Sequence, residues 1–487
     1  MKLYQLTCAV VLTINLIPVL AQSPSAVTPA ASKVTPEPDA NYFEFETLQT
    51  ADPIEVPATI FQGMTCLPTT DPTGSCTLGG WPVYAVNVSN VAQVQLAINF
   101  ARNTGIRLVV KNTGHNFSGK SGGGGSLSIW THNLKDMKFI PEYSADGSDW
   151  TGPAVKAGSG VQAFELYEFC DKNGAAVGIT GGYIQGGGHY PLSSIYGMGA
   201  DHVLEMEVVL PNGRFVTASE TKNPDLFWAL RGGGGSIYGV VTYMTLKAHL
   251  DMEVTAISFT FSSGGNVTKE AFWQGIRYYF DYFIPFTDAG VYGYFFAMPS
   301  GEEFIFMMQP FFAPQMNLAE TEAIIAPWLI QLADLGISIQ PETAHYDTFH
   351  SAWSASFGLE VVERLRNADG SRLFPRKNWE DEALLNATFD AWKQSMEKST
   401  ITINFNIAPT LERGGNPDNS VNPAWRETVM HSIQSISWPM ELTPAEILEV
   451  RDGFTNGDMQ RWRDVSPGAG SYLGEADRTE PGFQQAF

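Results

Sequence analysis

Basic residues are scarce in this sequence. It has 29 Lys and Arg against 51 Asp and Glu, which gives a net charge of -22 at pH 7. The resulting field repels phosphates at long range, so neither a nucleic acid nor an anionic membrane surface is expected as a partner. The 487 residues also contain only 4 cysteines, and their 8 histidines show no H-x-x-x-H or similar spacing. No metal site is therefore expected.

Long hydrophobic runs are absent beyond the N-terminus. Lys2 precedes an apolar run from Leu6 to Leu20 that ends in Ala21, and this pattern predicts a secretory signal peptide over residues 1–21. No other segment is long and apolar enough to span a bilayer. We therefore expect a secreted, extracellular protein that is free of the membrane after cleavage near Ala21 or Gln22.

The predicted secretion bears on the redox state of the cysteines. Cys66 and Cys76 bracket a turn-rich loop and are predicted to form a disulfide in an oxidising compartment. Cys170 falls on a predicted helix and is expected to be a buried apolar residue. Glycosylation sequons agree with secretion and occur at Asn87, Asn266 and Asn386, while a fourth at Asn116 lies in a glycine-rich loop and is expected to stay unmodified.

That glycine-rich loop is the most informative stretch of the chain. A short apolar run, Arg107–Lys111, leads into Asn112-Thr-Gly114-His115-Asn-Phe-Ser-Gly119-Lys120-Ser121 and then into four glycines. Because glycines lack Cβ atoms and reach positive φ angles, successive backbone N–H groups can point at one anion. We therefore expect the loop to hold a pyrophosphate-bearing cofactor beside His115.

Two formal nucleotide-binding patterns fail on their context. The stretch from Gly114 to Ser121 matches a P-loop, but a P-loop opens into a helix, whereas here glycines and the strand-like Leu127–Trp130 follow. The stretch Gly158–Ala163 matches G-x-G-x-x-A but lacks the acidic residue expected about twenty positions later. We interpret it as a tight turn from a strand to a helix.

The predicted elements divide the chain into two parts. Residues 22–60 have little to bury and form a flexible segment. A helix from Val91 to Ala101, with Ser89 as its N-cap and Gly105 at its end, gives a βαβ order, and a hairpin turns at Asn212-Gly213. After about Leu250, aromatic strands and amphipathic helices indicate an antiparallel sheet covered by helices on one face. The predicted fold class is α+β, and most of the aromatic residues in the second part are expected to be core residues.

The motifs taken together resemble one known family. Four segments resemble the PCMH-type FAD-binding domain of the vanillyl-alcohol oxidase superfamily. They are Lys111–Ser121, Gly181–Leu192, Gly199–Leu204 and Asn223–Gly239. Asn422–Arg426 and Ser471–Asp477 extend the resemblance to the secreted fungal branch related to berberine bridge enzyme. The resemblance implies a two-part FAD-binding domain at 77–250, a substrate domain at 251–465, and a C-terminal return to the flavin domain at 466–487.

The resemblance also implies a cofactor and its site. In such flavoproteins the histidine of the Thr-Gly-His motif is bonded covalently to FAD, which assigns that role to His115. Tyr472 and Glu475 match the segment that supplies the catalytic base, and both are candidates for it, whereas His189 is expected to shape its loop. The other implied FAD-binding residues are Asn112, Thr113, Gly114, Gly119, Lys120, Ser121, Gln185, Gly186, Gly187, Gly188, His189, Gly199, Ala200, Asp201, Gly239, Val240 and Val241.

The chain departs from the family pattern in three places. A cysteine-containing segment is missing where Asn173–Gly178 runs directly to Gly181, Tyr190 replaces a residue that is usually small, and the sequence stops at Phe487 where relatives continue. The expected function is a secreted oxidase that transfers a hydride from an alcohol, sugar or secondary metabolite to FAD, which dioxygen reoxidises. The alternative is a secreted flavin-binding protein that has lost turnover through the deletion and a truncated end.

Overall fold

The protein is built on three β-sheets. A computed structural model describes residues 16–18, 77–145, 147–178, 182–358, 367–439 and 441–487. The predicted disulfide, the predicted flexible segment, most of the predicted signal peptide and the junction of the expected deletion lie outside the described residues. In the described ranges, no helix combines the length and the apolarity that crossing a membrane would require.

The first sheet contains the predicted βαβ unit. Two of its strands run parallel to a third, and one helix makes the crossover between them, as the sequence predicts. The first strand pairs antiparallel with the second and lies within the predicted signal peptide. The sheet has the order β1-β2-β4-β3, and its elements are β1 (Leu16–Pro18), β2 (Tyr84–Asn87), α1 (Val91–Thr104), β3 (Leu108–Lys111) and β4 (Leu127–Trp130).

The N-cap of α1 differs from the prediction. Asn90 is the cap, because its side-chain oxygen accepts a hydrogen bond from Gln93 N at 3.1 Å. Ser89 lies one residue further out, and its backbone N–H donates instead to Gln93 Oε1 at 2.7 Å. The predicted end of the helix is confirmed, since Gly105 has the left-handed φ of 69°.

The second sheet completes the first part of the chain. Its strands run β5-β6-β10-β8-β9, with β7 also paired to β10, and they are β5 (Met137–Ile140), β6 (Ala154–Gly158), β7 (Ala175–Val177), β8 (Val203–Val209), β9 (Phe215–Ser219) and β10 (Val240–Leu250). The predicted hairpin between β8 and β9 is confirmed, with Gly213 at φ 81°. Helices between these strands are α2 (Ala163–Asp171), α3 (Gly182–Gln185), α4 (Ser193–Tyr196) and α5 (Pro224–Leu230). Cys170 on α2 is buried, as expected, and burial raises the pKa of its thiol to about 12.

The third sheet is antiparallel throughout and has seven strands. Their order is β14-β11-β13-β12-β16-β17-β15, and they are β11 (Val254–Ser262), β12 (Tyr292–Ser300), β13 (Glu303–Pro314), β14 (Glu342–Tyr346), β15 (Asn367–Pro375), β16 (Ile401–Asn406) and β17 (Thr428–Ser437). The helices of this part are α6 (Lys269–Asp281), α7 (Phe283–Asp288), α8 (Leu318–Asp334), α9 (Phe349–Ser356), α10 (Glu382–Met396), α11 (Pro444–Gly453), α12 (Met459–Val465) and α13 (Phe483–Ala486).

The two faces of the third sheet bury different cores. Phe295 and Phe306 face one way and pack with Trp328 of α8 and with other residues of the helices. Tyr294 and Phe405 face the other way and belong to the core that the sheet shares with the first part of the chain. This division follows from the alternation of side chains along a strand. The α+β class and the helix-covered antiparallel sheet are therefore confirmed.

A buried ion pair joins the two parts of the chain. Arg426 donates hydrogen bonds from its two terminal nitrogens to Asp201 Oδ2 at 2.7 Å and Oδ1 at 2.8 Å. Asp201 is only 3% exposed, and it also accepts from Met198 N and from Asn419 Nδ2, each at 2.8 Å. Because both carboxylate oxygens have charged or polar donors, the buried charge is fully compensated.

Asp201→Asn should destabilise the protein strongly. The amide removes the charge that balances Arg426, and breaking a buried pair from one side costs about 3–5 kcal/mol. Urea unfolding followed by tryptophan fluorescence measures this loss. Asp288→Asn is the matched control, because Asp288 binds Arg376 with the same geometry, at 2.7 and 2.8 Å, but is 49% exposed. There we expect a loss of about 1 kcal/mol or less, and equal losses in the two variants would contradict the joining role of Asp201.

Candidate active site

A cavity of about 480 Å³ lies where the first part of the chain meets the face of the third sheet that carries Tyr294 and Phe405. Its wall is formed by the loop after β3, the turn between β6 and α2, the segment from Gln185 to Pro191, aromatic residues of the third sheet and the C-terminal segment from Tyr472 to Glu475. A neighbouring cavity of about 440 Å³ lies against α1, β3 and the start of β10. The two cavities are adjacent, because both are lined by Val110, Lys120, Gly235 and Ser236.

The loop after β3 has the conformation that its glycines predict. Gly114 and Gly119 have φ angles of 95° and 65°, which residues other than glycine rarely adopt. Asn112 fixes the start of the loop, since its Nδ2 donates to Ser159 O at 3.0 Å and its carbonyl accepts from Trp130 Nε1 at 3.1 Å. The rejection of a P-loop is confirmed, because turns and then β4, and no helix, follow Ser121.

His115 presents a neutral imidazole to the cavity. Its Nε2 is buried and has no hydrogen-bond partner among the described residues. Burial is the main cause, and the charges of Lys111 and His132 contribute, so that together they lower the pKa of His115 to about 4. A neutral ring nitrogen that is buried without a partner is suited to bond covalently to a group in the cavity. The residues around His115 therefore fit a tethered flavin.

The structure brings part of the predicted FAD-binding set to the cavity wall. The residues that line the main cavity are Asn112, Thr113, Gly114, His115, Lys120, Ser121, Gln185, His189 and Val241. Those that line the neighbouring cavity are Lys120, Gly239 and Val240. The residues that line neither are Gly119, Gly186, Gly187, Gly188, Gly199, Ala200 and Asp201.

The residues away from the wall have a structural place. Gly199 N donates to Gly188 O at 2.7 Å, and Ala200 N donates to Gly187 O at 2.9 Å. These bonds hold the turn that carries His189 to the cavity. Asp201 follows directly and is committed to its ion pair with Arg426, so its contribution to the site is indirect.

The C-terminal segment carries both catalytic candidates to the cavity. Leu373 N on β15 donates to Gly470 O at 2.9 Å, and Phe117 N in the histidine loop donates to Gly474 O at 3.1 Å. The segment thus runs between the third sheet and the histidine loop, and both Tyr472 and Glu475 line the cavity. A Cβ atom at Gly474 would lie 2.9 Å from Cε1 of Tyr472, so glycine at this position gives the tyrosine ring its space.

Glu475 is the centre of a buried charge cluster. Its Oε2 accepts a hydrogen bond from His431 Nε2 at 2.8 Å and lies 3.4 Å from His189 Nε2. Burial alone would raise the pKa of Glu475, but His189 and His431 outweigh it and lower that pKa to about 2. Burial lowers the pKa of His431, although Glu475 opposes this shift.

The same three residues form a possible metal-ligand set that spacing along the chain does not show. One ligand atom from each of His189, His431 and Glu475 lies within 4.8 Å of the others. The residues are far apart in sequence, so only the fold brings them together. His431 was not singled out from the sequence, because a lone histidine on an otherwise apolar strand gives no functional signal.

Aromatic residues form the side of the cavity that faces the third sheet. Tyr294 stacks on Phe405, with ring centroids 5.0 Å apart and planes 11° apart. The aromatic residues on this side are Tyr292, Tyr294, Trp353, Phe357 and Phe405. From the sequence, most aromatic residues of this part were expected in the core and some in a sugar or aromatic pocket, and composition does not separate these uses because both require the same residue types. Residues of the strand-to-helix turn, among them Ser159 and Gln162, also line the cavity, and the sequence indicated only a turn there.

Known proteins match this chain over most of its length. Residues 82–219 match the FAD binding domain family. The FAD-linked oxidoreductase ZEB1 of Gibberella zeae is 34% identical over 454 residues, which cover 91% of this chain and 77% of the relative. The VAO-type flavoprotein oxidase VAO615 of Thermothelomyces thermophilus is 35% identical over 443 residues, covering 88% of this chain and 75% of the relative.

Solved structures agree with these sequence matches. The crystal structure of the VAO-type flavoprotein MtVAO615 from Myceliophthora thermophila has a TM-score of 0.83 at 30% identity and covers 97% of this chain and 88% of that one. The BBE-like 1 protein of Physcomitrella patens shares the fold with a TM-score of 0.63 at 16% identity, covering 91% of this chain and 92% of that one. The chain therefore belongs to the FAD-linked oxidoreductases of the vanillyl-alcohol oxidase superfamily, and FAD is its cofactor.

Proposed function

We propose that this FAD-dependent oxidoreductase is an oxidase that holds FAD through a covalent bond to His115, oxidises an alcohol, and passes the electrons to dioxygen. The observation that carries the proposal is the buried Nε2 of His115 at the cavity wall, which has no hydrogen-bond partner among the described residues. Burial and Lys111 keep this imidazole neutral, with its pKa at about 4, so a lone pair is available for bonding.

Residues around both of the adjacent cavities contribute to the binding of FAD. Lys120 lines both cavities and supplies a positive charge where they meet, which suits a diphosphate. Gly239 supports the second cavity by close packing, since a Cβ atom there would lie 2.7 Å from Cγ1 of Val208. When bound, FAD supplies the hydride and electron acceptor, and the chain supplies position, enclosure and proton transfer.

The aromatic wall favours an alcohol with a flat, apolar body over a sugar. Sugar recognition uses several side chains with fixed donors and acceptors, whereas the third-sheet side presents Tyr292, Trp353, Phe357 and Phe405. Flat rings pack against such side chains and bury apolar area. The ionisable side chains of His189 and Glu475 lie close together on the cavity wall near the third sheet, which supports binding of the reacting hydroxyl beside them.

His115→Ala should release the flavin from covalent attachment. The purified wild-type protein is expected to be yellow, with flavin absorbance that stays with the protein after acid precipitation, while in the variant the flavin should move to the supernatant. His345→Ala is the control: His345 is also a histidine near a carboxylate, but it lies on β14 and does not line the cavity. Flavin that remains attached to His115→Ala would contradict the proposed linkage.

Aerobic assays should detect hydrogen peroxide with aromatic and conjugated alcohols, and little or none with sugars. Each molecule of product is expected to accompany one molecule of peroxide, because the oxidation removes two electrons and dioxygen accepts them. A peroxidase-coupled dye measures this yield across a substrate panel. Silence across the whole panel from a fully flavin-loaded protein would count against an oxidase and support a flavin-binding protein without turnover.

We also propose that the protein is secreted and glycosylated. Support comes from the signal-peptide pattern and from the exposure of the sequon residues Asn266 and Asn386. Intact mass measurement of protein from culture medium, before and after glycosidase treatment, should show a chain that begins near Gln22 and loses glycan mass. A full-length chain that stays inside the cell would contradict secretion.

A further inference from the structure

Three side chains from separate parts of the fold meet at one carboxylate oxygen. Glu475 Oε2 lies 2.8 Å from Nε2 of His431 on β17 and 3.4 Å from Nε2 of His189 in the Gln185–Pro191 segment. His189 and Glu475 line the cavity, whereas His431 is fully buried behind them. The cluster therefore has one histidine that reaches the substrate space and one that does not.

Glu475 is suited to hold a negative charge and poorly suited to take up a proton. Burial favours its neutral form, but the two histidines outweigh burial and lower the pKa of Glu475 to about 2. An efficient general base has a pKa near the working pH. A carboxylate that is this acidic accepts a proton too weakly, but its charge stabilises a proton on a neighbouring imidazole.

His431 fixes the position of that negative charge. An ionised carboxylate oxygen only accepts hydrogen bonds, so Nε2 of His431 carries the hydrogen and donates it to Glu475. Burial lowers the pKa of His431, which keeps this ring a neutral donor. The hydrogen bond between His431 and Glu475 therefore fixes the position of the carboxylate oxygen that lies beside His189.

Aromatic side chains hold the ring of His189 in place. Trp425 lies parallel to it, with centroids 5.5 Å and planes 26° apart, and Tyr472 meets it edge-on at 5.3 Å. Phe405 packs on it at 4.9 Å. Nε2 is the ring nitrogen that lies 3.4 Å from Glu475 Oε2, so a hydrogen on Nε2 leaves the lone pair on Nδ1. A histidine oriented by a carboxylate in this manner is a proven arrangement for proton abstraction.

We propose that His189 is the catalytic base that takes the hydroxyl proton of the substrate, and that Glu475 and His431 are positioning residues. This inference rests on the proposed alcohol oxidation. The O–H bond breaks and its proton moves to Nδ1 of His189, while the hydrogen of the adjacent C–H bond leaves with its electron pair for FAD, which is the oxidant. The alcohol carbon becomes a carbonyl carbon, and Glu475 stabilises the imidazolium. The sequence had indicated Tyr472 or Glu475 for this role and a loop-shaping role for His189.

The decisive experiment measures flavin reduction without oxygen. The holoenzyme is mixed with a saturating alcohol, and flavin absorbance is followed at pH values across the titration range of histidine. His189→Asn should lower the reduction rate about 100-fold to 10,000-fold, which is the usual contribution of a general base. The variant should keep its covalent flavin and should lose the acid limb of the pH profile. A wild-type rate with an intact acid limb would overturn the proposal.

The positioning residues should change the pH profile and not only the rate. In Glu475→Gln the imidazolium loses its counter-charge, so the acid limb should move to lower pH and the rate should fall, with partial recovery in Glu475→Asp. His431→Gln should act in the same direction. The ionisable groups around His189 are Glu475 and Tyr472 from the C-terminal segment, His431 from β17 and the adjacent Tyr190, with His115 and Lys120 elsewhere on the wall. Tyr472→Phe should therefore keep the acid limb of the pH profile. Loss of the acid limb in this variant would assign the base to Tyr472.

His345→Asn is the matched control. His345 Nε2 lies 3.4 Å from Glu253 Oε2, the same separation as between His189 and Glu475, but on β14 and away from the cavity. This variant should keep both the rate and the pH profile. A change equal to that in His189→Asn would mean that the effect is a general one of removing a histidine, and would overturn the assignment.

A second measurement requires no turnover. NMR of flavin-loaded protein with labelled histidines should show a titrating ring signal that disappears in His189→Asn and moves to lower pH in Glu475→Gln. If the wild type oxidises no alcohol, the proposed function fails, and this titration still decides whether the cluster behaves as inferred. One divalent ion per wild-type chain that is lost in His189→Asn would overturn the inference, because the three ligand atoms, which lie within 4.8 Å of one another, would then be bound to metal.

Discussion

The buried ion pair between Asp201 and Arg426 is the constraint on which the site depends. The backbone closes tightly around its carboxylate, since a Cβ atom at Gly414 would lie 2.3 Å from Asp201 Oδ2 and one at Gly197 would lie 2.6 Å from it. Asp201 follows the turn that carries His189. Arg426 comes directly after Trp425, on which the His189 ring packs. The pair therefore fixes the joint between the two parts of the chain, and the cavity walls are drawn from both sides of that joint.

Burial acts in opposite ways on the two key ionisable groups of the cavity. His115 has no acidic partner, and with Lys111 nearby its pKa falls to about 4, so it stays neutral. Glu475 is equally enclosed, but its interactions with His189 and His431 outweigh burial and lower its pKa to about 2, so it stays ionised. The general rule is that burial disfavours charge unless a partner compensates it. One cavity therefore contains a nucleophilic nitrogen at one place and a fixed negative charge at another.

The sequence predicted those features that depend on local order. Alternating strands, the hairpin at Asn212-Gly213 and the glycine loop around His115 follow from backbone preferences that act over a few residues, and their motifs led to the correct family. The cluster around Glu475 was beyond such reasoning, because Gln185–Pro191, β17 and the C-terminal segment meet only through tertiary contacts. His431 shows the difficulty most clearly, since a buried histidine on a strand has the same local signature whether or not it faces a carboxylate. The prediction of Ser89 as the N-cap was wrong for a more local reason. Both Ser89 and Asn90 are residue types that cap helices, and in the structure the side chain of Asn90 accepts the capping hydrogen bond.

Two glycines leave room for large aromatic rings at the site. Tyr190, which the resemblance marks as a departure from the family pattern, hydrogen-bonds through its hydroxyl with His202 Nε2 at 3.0 Å. Its ring also occupies the space beside Gly178, where a Cβ atom would lie 3.3 Å from Cζ of Tyr190. Gly474 stands in the same relation to Tyr472. Because the rings of Tyr190 and Tyr472 each have a glycine beside them, and Glu475 Oε2 lies against both His431 and His189, these large residues are compatible with the geometry of the site.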